Sequence, residues 1–130
     1  MALEGGFAYD ESFTSTGAPA QYSLVKVSAF NVAGLCTSAT GGASAAIGVL
    51  QNDPATGQSA TVRKFGLSKI LAGEAIAVGD PITCSTGGTA VVANTTGEFV
   101  IGRACSASTA SGQVIEAFIC PQGLYMGSTA

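Results

Sequence analysis

Serine, cysteine, lysine and carboxylate side chains are the groups in this 130-residue chain that could serve as nucleophiles, bases or metal ligands, and they work without imidazole, because the sequence has no histidine. A serine or cysteine nucleophile needs a neighbouring base, usually histidine, and histidine is also the commonest transition-metal ligand. Most hydrolytic chemistry is therefore excluded. A Ser-Lys dyad is conceivable, but Ser68 and Lys69 are adjacent on a predicted strand and so point to opposite faces. Lys69 reads as a solvated surface charge. Among the acids, Asp10 and Glu11 lie in a polar N-terminal segment, whereas Asp53 and Asp80 each precede a proline, the setting in which aspartate caps a turn through its own side chain. The glycine pairs Gly41-Gly42 and Gly87-Gly88 lack the Gly-Lys-Ser/Thr ending and the strand-to-helix context of a phosphate loop. No catalytic, cofactor-binding or metal-binding residue is assigned.

The four cysteines, Cys36, Cys84, Cys105 and Cys120, contain no Cys-x-x-Cys pair, so a structural zinc would require all four to converge from distant segments. Three disulfide pairings are possible for four cysteines, but such frameworks belong mainly to secreted chains. The N-terminus Met-Ala-Leu-Glu-Gly-Gly has an acid where a signal peptide would carry base, and no long apolar run follows. The expectation is a chain neither exported by that route nor membrane-spanning, with free buried thiols.

Composition sets what can position these groups. A chain of this length fits one domain. Alanine dominates the 47% of hydrophobic residues, so the layers should pack thinly. Only 10% of residues are charged, against about 25% in typical globular domains. Charge keeps surfaces apart, so a surface of Ser, Thr, Ala and backbone implies a chain that functions in contact with something. The net charge of −3 opposes a nucleic-acid partner, whose phosphates demand a basic stripe, and Arg63, Lys64 and Lys69 are too few to supply one.

Residues 1–20 carry acids, small polar residues and isolated aromatics, Phe7, Tyr9 and Phe13, with neither helical nor strand periodicity. They read as an extended arm ahead of a β domain at 21–120 and a tail at 121–130. The three aromatics either pack on the chain's own barrel or dock on a partner. Tyr22 to Phe30 alternates and is rich in β-formers, Val32 to Cys36 is a second short strand, and Thr37 to Ser44 has nothing large to bury and reads as a surface loop. Ile47 to Gln51 and Ser59 to Phe65 flank the turn Asn52-Asp53-Pro54-Ala55-Thr56-Gly57, which makes a hairpin. The plan recurs at Ile101 to Ala104 and Gln113 to Cys120, as a weak repeat of Ile-Gly-x-x followed by Gly-Gln. Two such hairpins are expected on opposite sides of a small barrel or sandwich. Between them Leu67 to Ala93 breaks into short apolar pieces, and Ser68 to Val78, with Gly73 mid-span, reads as strand and turn.

The phrases Ile47-Gly-Val-Leu-Gln-Asn-Asp-Pro54, Gly57-Gln-Ser-Ala-Thr-Val62, Ala72-Gly-Glu-Ala-Ile-Ala-Val-Gly-Asp-Pro81 and Val100-Ile-Gly-Arg-Ala104, in that order, resemble the tailed-bacteriophage capsid decoration family, also called capsid cement or head-stabilising proteins. The resemblance covers about residues 45–120 and includes no catalytic residue. It implies an all-β fold, a small β-barrel or β-tulip-like domain with an extended N-terminal arm. It also implies a structural virion protein, made in the host cytoplasm, on the outer surface of the expanded capsid. Its partners would be the major capsid protein and itself, as a homotrimer or clustered around local three-fold positions, with no nucleic acid, membrane or cofactor. Cementing would brace adjacent coat subunits against internal pressure, with Phe7, Tyr9 and Phe13 as capsid contacts and the arm folding on binding. Two other readings suit a small Ser/Thr-rich β domain. One is a virion or cell-surface adhesion domain for host glycans or receptors, against which stands the lack of an aromatic cluster in a loop. The other is a lipoyl- or biotinyl-type carrier, which would need a lysine at a hairpin tip.

Overall fold

A thirteen-residue strand, Ser59–Leu71, runs through the middle of the computed structural model, which describes residues 8–36, 46–85 and 87–124. In chain order the strands are β1 (Tyr9–Ser15), β2 (Leu24–Ala29), β3 (Val32–Leu35), β4 (Gly48–Leu50), β5 (Ser59–Leu71), β6 (Pro81–Cys84), β7 (Ala90–Val92), β8 (Phe99–Ala104) and β9 (Val114–Leu124). The first half of β5 pairs with β1 and β4, and its second half pairs with β9. Because β1 also pairs with β3, the order β1-β3-β2-β4-β5 returns to β1 and closes a five-stranded barrel. The sheet then continues as β5-β9-β8-β6-β7. Its last strand is not left open. Ala72 bridges to Ala90, the Gly73 amide donates to the Ala90 carbonyl at 2.7 Å, and the Glu74 carboxylate accepts from the Val92 amide at 2.8 Å. This removes a template for unwanted strand pairing. The fold is all-β with a small closed barrel, as the sequence implies.

Strand alternation divides the buried side chains into two clusters. Val25, Ala33, Leu50, Ala60 and Val62, with Phe13 against them, fill the barrel, so every stave contributes at least one side chain. Leu24 and Val49, the neighbours of Val25 and Leu50 on β2 and β4, point the other way and join Ile70, Ile82, Ile101, Ile115 and Ile119 in a larger cluster under the second sheet. β4 and the start of β2, Leu24 and Val25, thus bury both faces, which is why no polar residue interrupts Gly48–Leu50. Small residues keep the layers close, with Ala33, Ala60, Ala72, Ala90 and Ala117 fully buried.

The Ile-Gly and Gly-Gln repeat has a structural basis. Gly48 on β4 lies against the Arg63 carbonyl of β5, and Gly102 on β8 lies against the Phe118 carbonyl of β9, each so close that a Cβ would collide with backbone. Gly57 and Gly112 take left-handed conformations, with φ of 89° and 95°. The glutamine after each closes the turn, Gln58 Oε1 accepting from the Ala55 amide at 2.8 Å and Gln113 Oε1 from the Thr109 amide at 2.7 Å. The two hairpins are not on opposite sides of the fold, however. They lie side by side, β4-β5 joined to β9-β8 through the β5–β9 ladder, because β5 is long enough to serve both halves.

Other expectations are revised. Tyr9–Ser15, read as arm, is a barrel stave in register with Ser59–Phe65, so deleting residues 1–20 removes a wall of the barrel. Its inward positions are Glu11, Phe13 and Ser15, of which only one is apolar, and that hides the alternation. Cys36 and Cys84 are not free thiols. They form a disulfide, with Cα atoms 6.5 Å apart, between the residue after β3 and the last residue of β6, both inside the larger cluster. Cys105 and Cys120 are free, Cys105 exposed. β9 continues through Pro121 to Leu124, past the boundary at 120, opposite a register irregularity between Val100 and Gly102 of β8 that accommodates a residue without an amide proton. The expected loop at Thr37 to Ser44 and the glycine pair Gly41-Gly42 lie outside the described residues.

Candidate functional site

The charged residues of β1 and β5 are tied to one another. The Arg63 guanidinium holds Asp10 through two contacts, Nε to Oδ1 at 2.8 Å and Nη2 to Oδ2 at 3.1 Å, and its Nη1 donates to the Leu67 carbonyl at 2.8 Å. Lys64 Nζ meets Glu11 Oε1 at 2.8 Å and lies 5.7 Å from the centre of the Tyr9 ring. The acidic pair of β1 is thus clasped by the basic pair of β5. The Asp10 hydrogen bond raises the Arg63 pKa, outweighing the opposite effect of partial burial, and the Asp10 charge adds to it. A raised cation pKa gives stability that is lost only as pH rises through it, here at strongly alkaline pH, so this clasp confers no pH sensitivity through Arg63 near neutrality.

The sequence places these four charges apart, in an arm and in a minor basic cluster. The available signal was their complementarity, Asp-Glu against Arg-Lys. Replacing Asp10 and Glu11 together with lysine should destabilise the fold by about 1–2 kcal/mol through like charges on facing strands. Adding Arg63→Glu and Lys64→Glu should restore β1. Amide exchange of residues 10–14 reads both effects, and fast exchange persisting in the quadruple variant would show that the ion pairs do not hold β1.

A cleft of about 220 Å³ opens where β5 passes from one half of the fold to the other, bordered by Tyr22, Gln51, Arg63, Ser68, Lys69 and Glu116. Ser68 is 4% exposed and its hydroxyl is committed, donating to the Lys69 carbonyl at 2.8 Å and accepting from Gln51 Nε2 at 2.9 Å. The Lys69 amine lies instead 6.0 Å from the centre of the Tyr22 ring. This is not a nucleophile with its base. Asp80 accepts from the Ala77 amide at 2.9 Å, the turn-capping role expected of it, whereas Asp53 is exposed and it is the neighbouring Asn52 that bonds across the β4–β5 connection, to Ser59 and Thr61. All three lysines lie within strands, Lys26 in β2 and Lys64 and Lys69 in β5, which removes the hairpin-tip lysine that a carrier domain requires. No helix among the described residues is long and apolar enough to cross a membrane.

The remaining chemistry is surface chemistry. Tyr9 is half exposed, Phe13 is turned into the barrel, and Phe7 lies outside the described residues. On the outer face of β5 and β9, Phe65 meets the exposed Phe118 edge-to-face at 5.3 Å between ring centres, and Leu67 stands opposite Phe118 in register. Phe30, read in the sequence as the end of a strand, occupies the two-residue turn between β2 and β3 with Asn31 and is 91% exposed.

Residues 5–119 match the family of phage cement proteins. The chain belongs to this family. It is therefore a structural component associated with the phage capsid, and its family is not one of enzymes. No curated protein shows significant similarity to this cement protein. Its fold is similar to the crystal structure of the head fibre gp8.5 N base of bacteriophage phi29, with a TM-score of 0.65 and 21% identity over 92% of this chain and the whole of that one.

Proposed function

We propose that this cement protein binds the outer surface of the expanded phage capsid and clamps adjacent major capsid protein subunits against internal pressure. The observation that carries the reading is the family match over residues 5–119, joined to a closed barrel in a chain with few charges. Its copies cluster as homotrimers or around local three-fold positions, where each touches more than one coat subunit. Many modest contacts repeated over the lattice then act together through avidity. Contact in the N-terminal segment is carried by Tyr9 and Phe7, since Phe13 packs into the barrel. The virion protein has no enzymatic role in this reading, and its partner is protein rather than nucleic acid. The test is to mix the chain with undecorated expanded shells and with unexpanded precursors and to sediment both. Saturable binding to expanded shells alone is expected, and equal retention on both, or on neither, rejects the reading.

A further inference from the structure

Phe30 is held out from the barrel by a hairpin that cannot easily fold it back. Ala29 pairs with Val32, so Phe30 and Asn31 alone make the turn, with Asn31 in the left-handed conformation at φ 59° that asparagine tolerates better than most residues. The Asn31 carbonyl accepts from the Thr14 amide at 2.7 Å, and Val32 and Ala33 pair in parallel with Thr14 and Ser15, so the turn is anchored to β1 as well as within its own hairpin. The ring is nevertheless 91% exposed, Val27 on the same hairpin is 43% exposed, and residues 27–36 carry no charge. An aromatic ring on a pre-set backbone loses little conformational freedom on burial and is the residue type that dominates binding energy at interfaces.

We infer that Phe30 is the anchor that enters an apolar pocket on the coat-protein shell. A second copy of this chain is the less suitable host. The cleft at β5 sets the charged Arg63, Lys69 and Glu116 beside Tyr22 and Leu67, and the broader recess beside Asn31 sets Ser12, Thr14 and Ser59 beside Phe13, so an apolar ring entering either would also desolvate polar groups. This inference rests on the capsid-binding reading and adds to it the residue and the chemistry of its seat.

The test compares the intact chain, Phe30→Ala and Phe30→Leu for binding to undecorated expanded shells, with thermal unfolding and sedimentation velocity of each free chain. Phe30→Ala should weaken shell binding by about 30-fold or more without changing the unfolding temperature, and Phe30→Leu should recover part of the loss. Shell binding by Phe30→Ala equal to that of the intact chain overturns the inference while leaving the capsid reading standing. A loss of self-association in free Phe30→Ala also overturns it, by making a second copy the occupant. Failure of the intact chain to bind shells removes both.

Discussion

Reducing the Cys36–Cys84 disulfide is expected to lower the unfolding free energy by about 4 kcal/mol, the loop-entropy value for two residues about 50 apart. The bridged residues are 48 apart in sequence, and the crosslink ties the end of β3 in the barrel to the end of β6 in the second sheet. It therefore restricts the unfolded chain across the boundary between the two halves, which otherwise communicate mainly through β5 and the shared cluster. For a chain of this size the loss corresponds to a fall of about 15 °C in Tm. Reduction keeps both sulfur atoms in the core, so comparison of reduced protein with the pair Cys36→Ala and Cys84→Ala separates the crosslink from the packing of its atoms. Denaturant unfolding of the oxidised and reduced chain checks the value, and equal midpoints would show that the bridge contributes nothing.

Gly102→Ala is expected to destabilise the fold by about 3 kcal/mol, near the upper end for overpacking. The new methyl group would meet the Phe118 carbonyl and come within 3.1 Å of the Ile119 Cα, backbone atoms that no rotamer change can move aside. Relief requires shifting β8 against β9, and Ile101, Ala117 and Ile119 on those strands are core residues. Gly48→Ala should behave alike, because the Arg63 carbonyl occupies the corresponding place. Gly97 makes the control, with φ of 100° and nothing within 4 Å of its Cβ direction, so alanine there costs only left-handed strain of about 1 kcal/mol. Thermal unfolding of the three variants should rank Gly102 and Gly48 well below Gly97. A Gly102→Ala protein as stable as Gly97→Ala would mean that the close approach of β8 and β9 is not as described.

These glycines also show how much of the fold could be read in the sequence. The hairpins were legible because each carries its own local code, an Ile-Gly that permits close strand approach and a Gly-Gln that makes and closes the turn. Their arrangement was not, since nothing local in Ser59–Leu71 announces that one strand will serve two halves. β1 is not legible as a strand because Glu11 and Ser15 occupy inward positions where a simple pattern requires apolar residues. Its partner was written in charge instead, Asp10 and Glu11 answering Arg63 and Lys64. The disulfide depended on a distance in space between Cys36 and Cys84 that no spacing rule supplies. Phe30 looked like the last apolar residue of a strand, and only the pairing of Ala29 with Val32 places it in the turn.

An electron cryomicroscopy difference map between expanded shells with and without the added chain would show where the cement protein sits, and clamping across coat subunits makes a definite demand on it. Extra density is expected on the outer surface, fitted by the five-stranded barrel, lying over a seam so that each copy contacts two or more coat subunits. Density confined to a single coat subunit, density on the inner surface, or no ordered density at saturating protein would contradict that expectation.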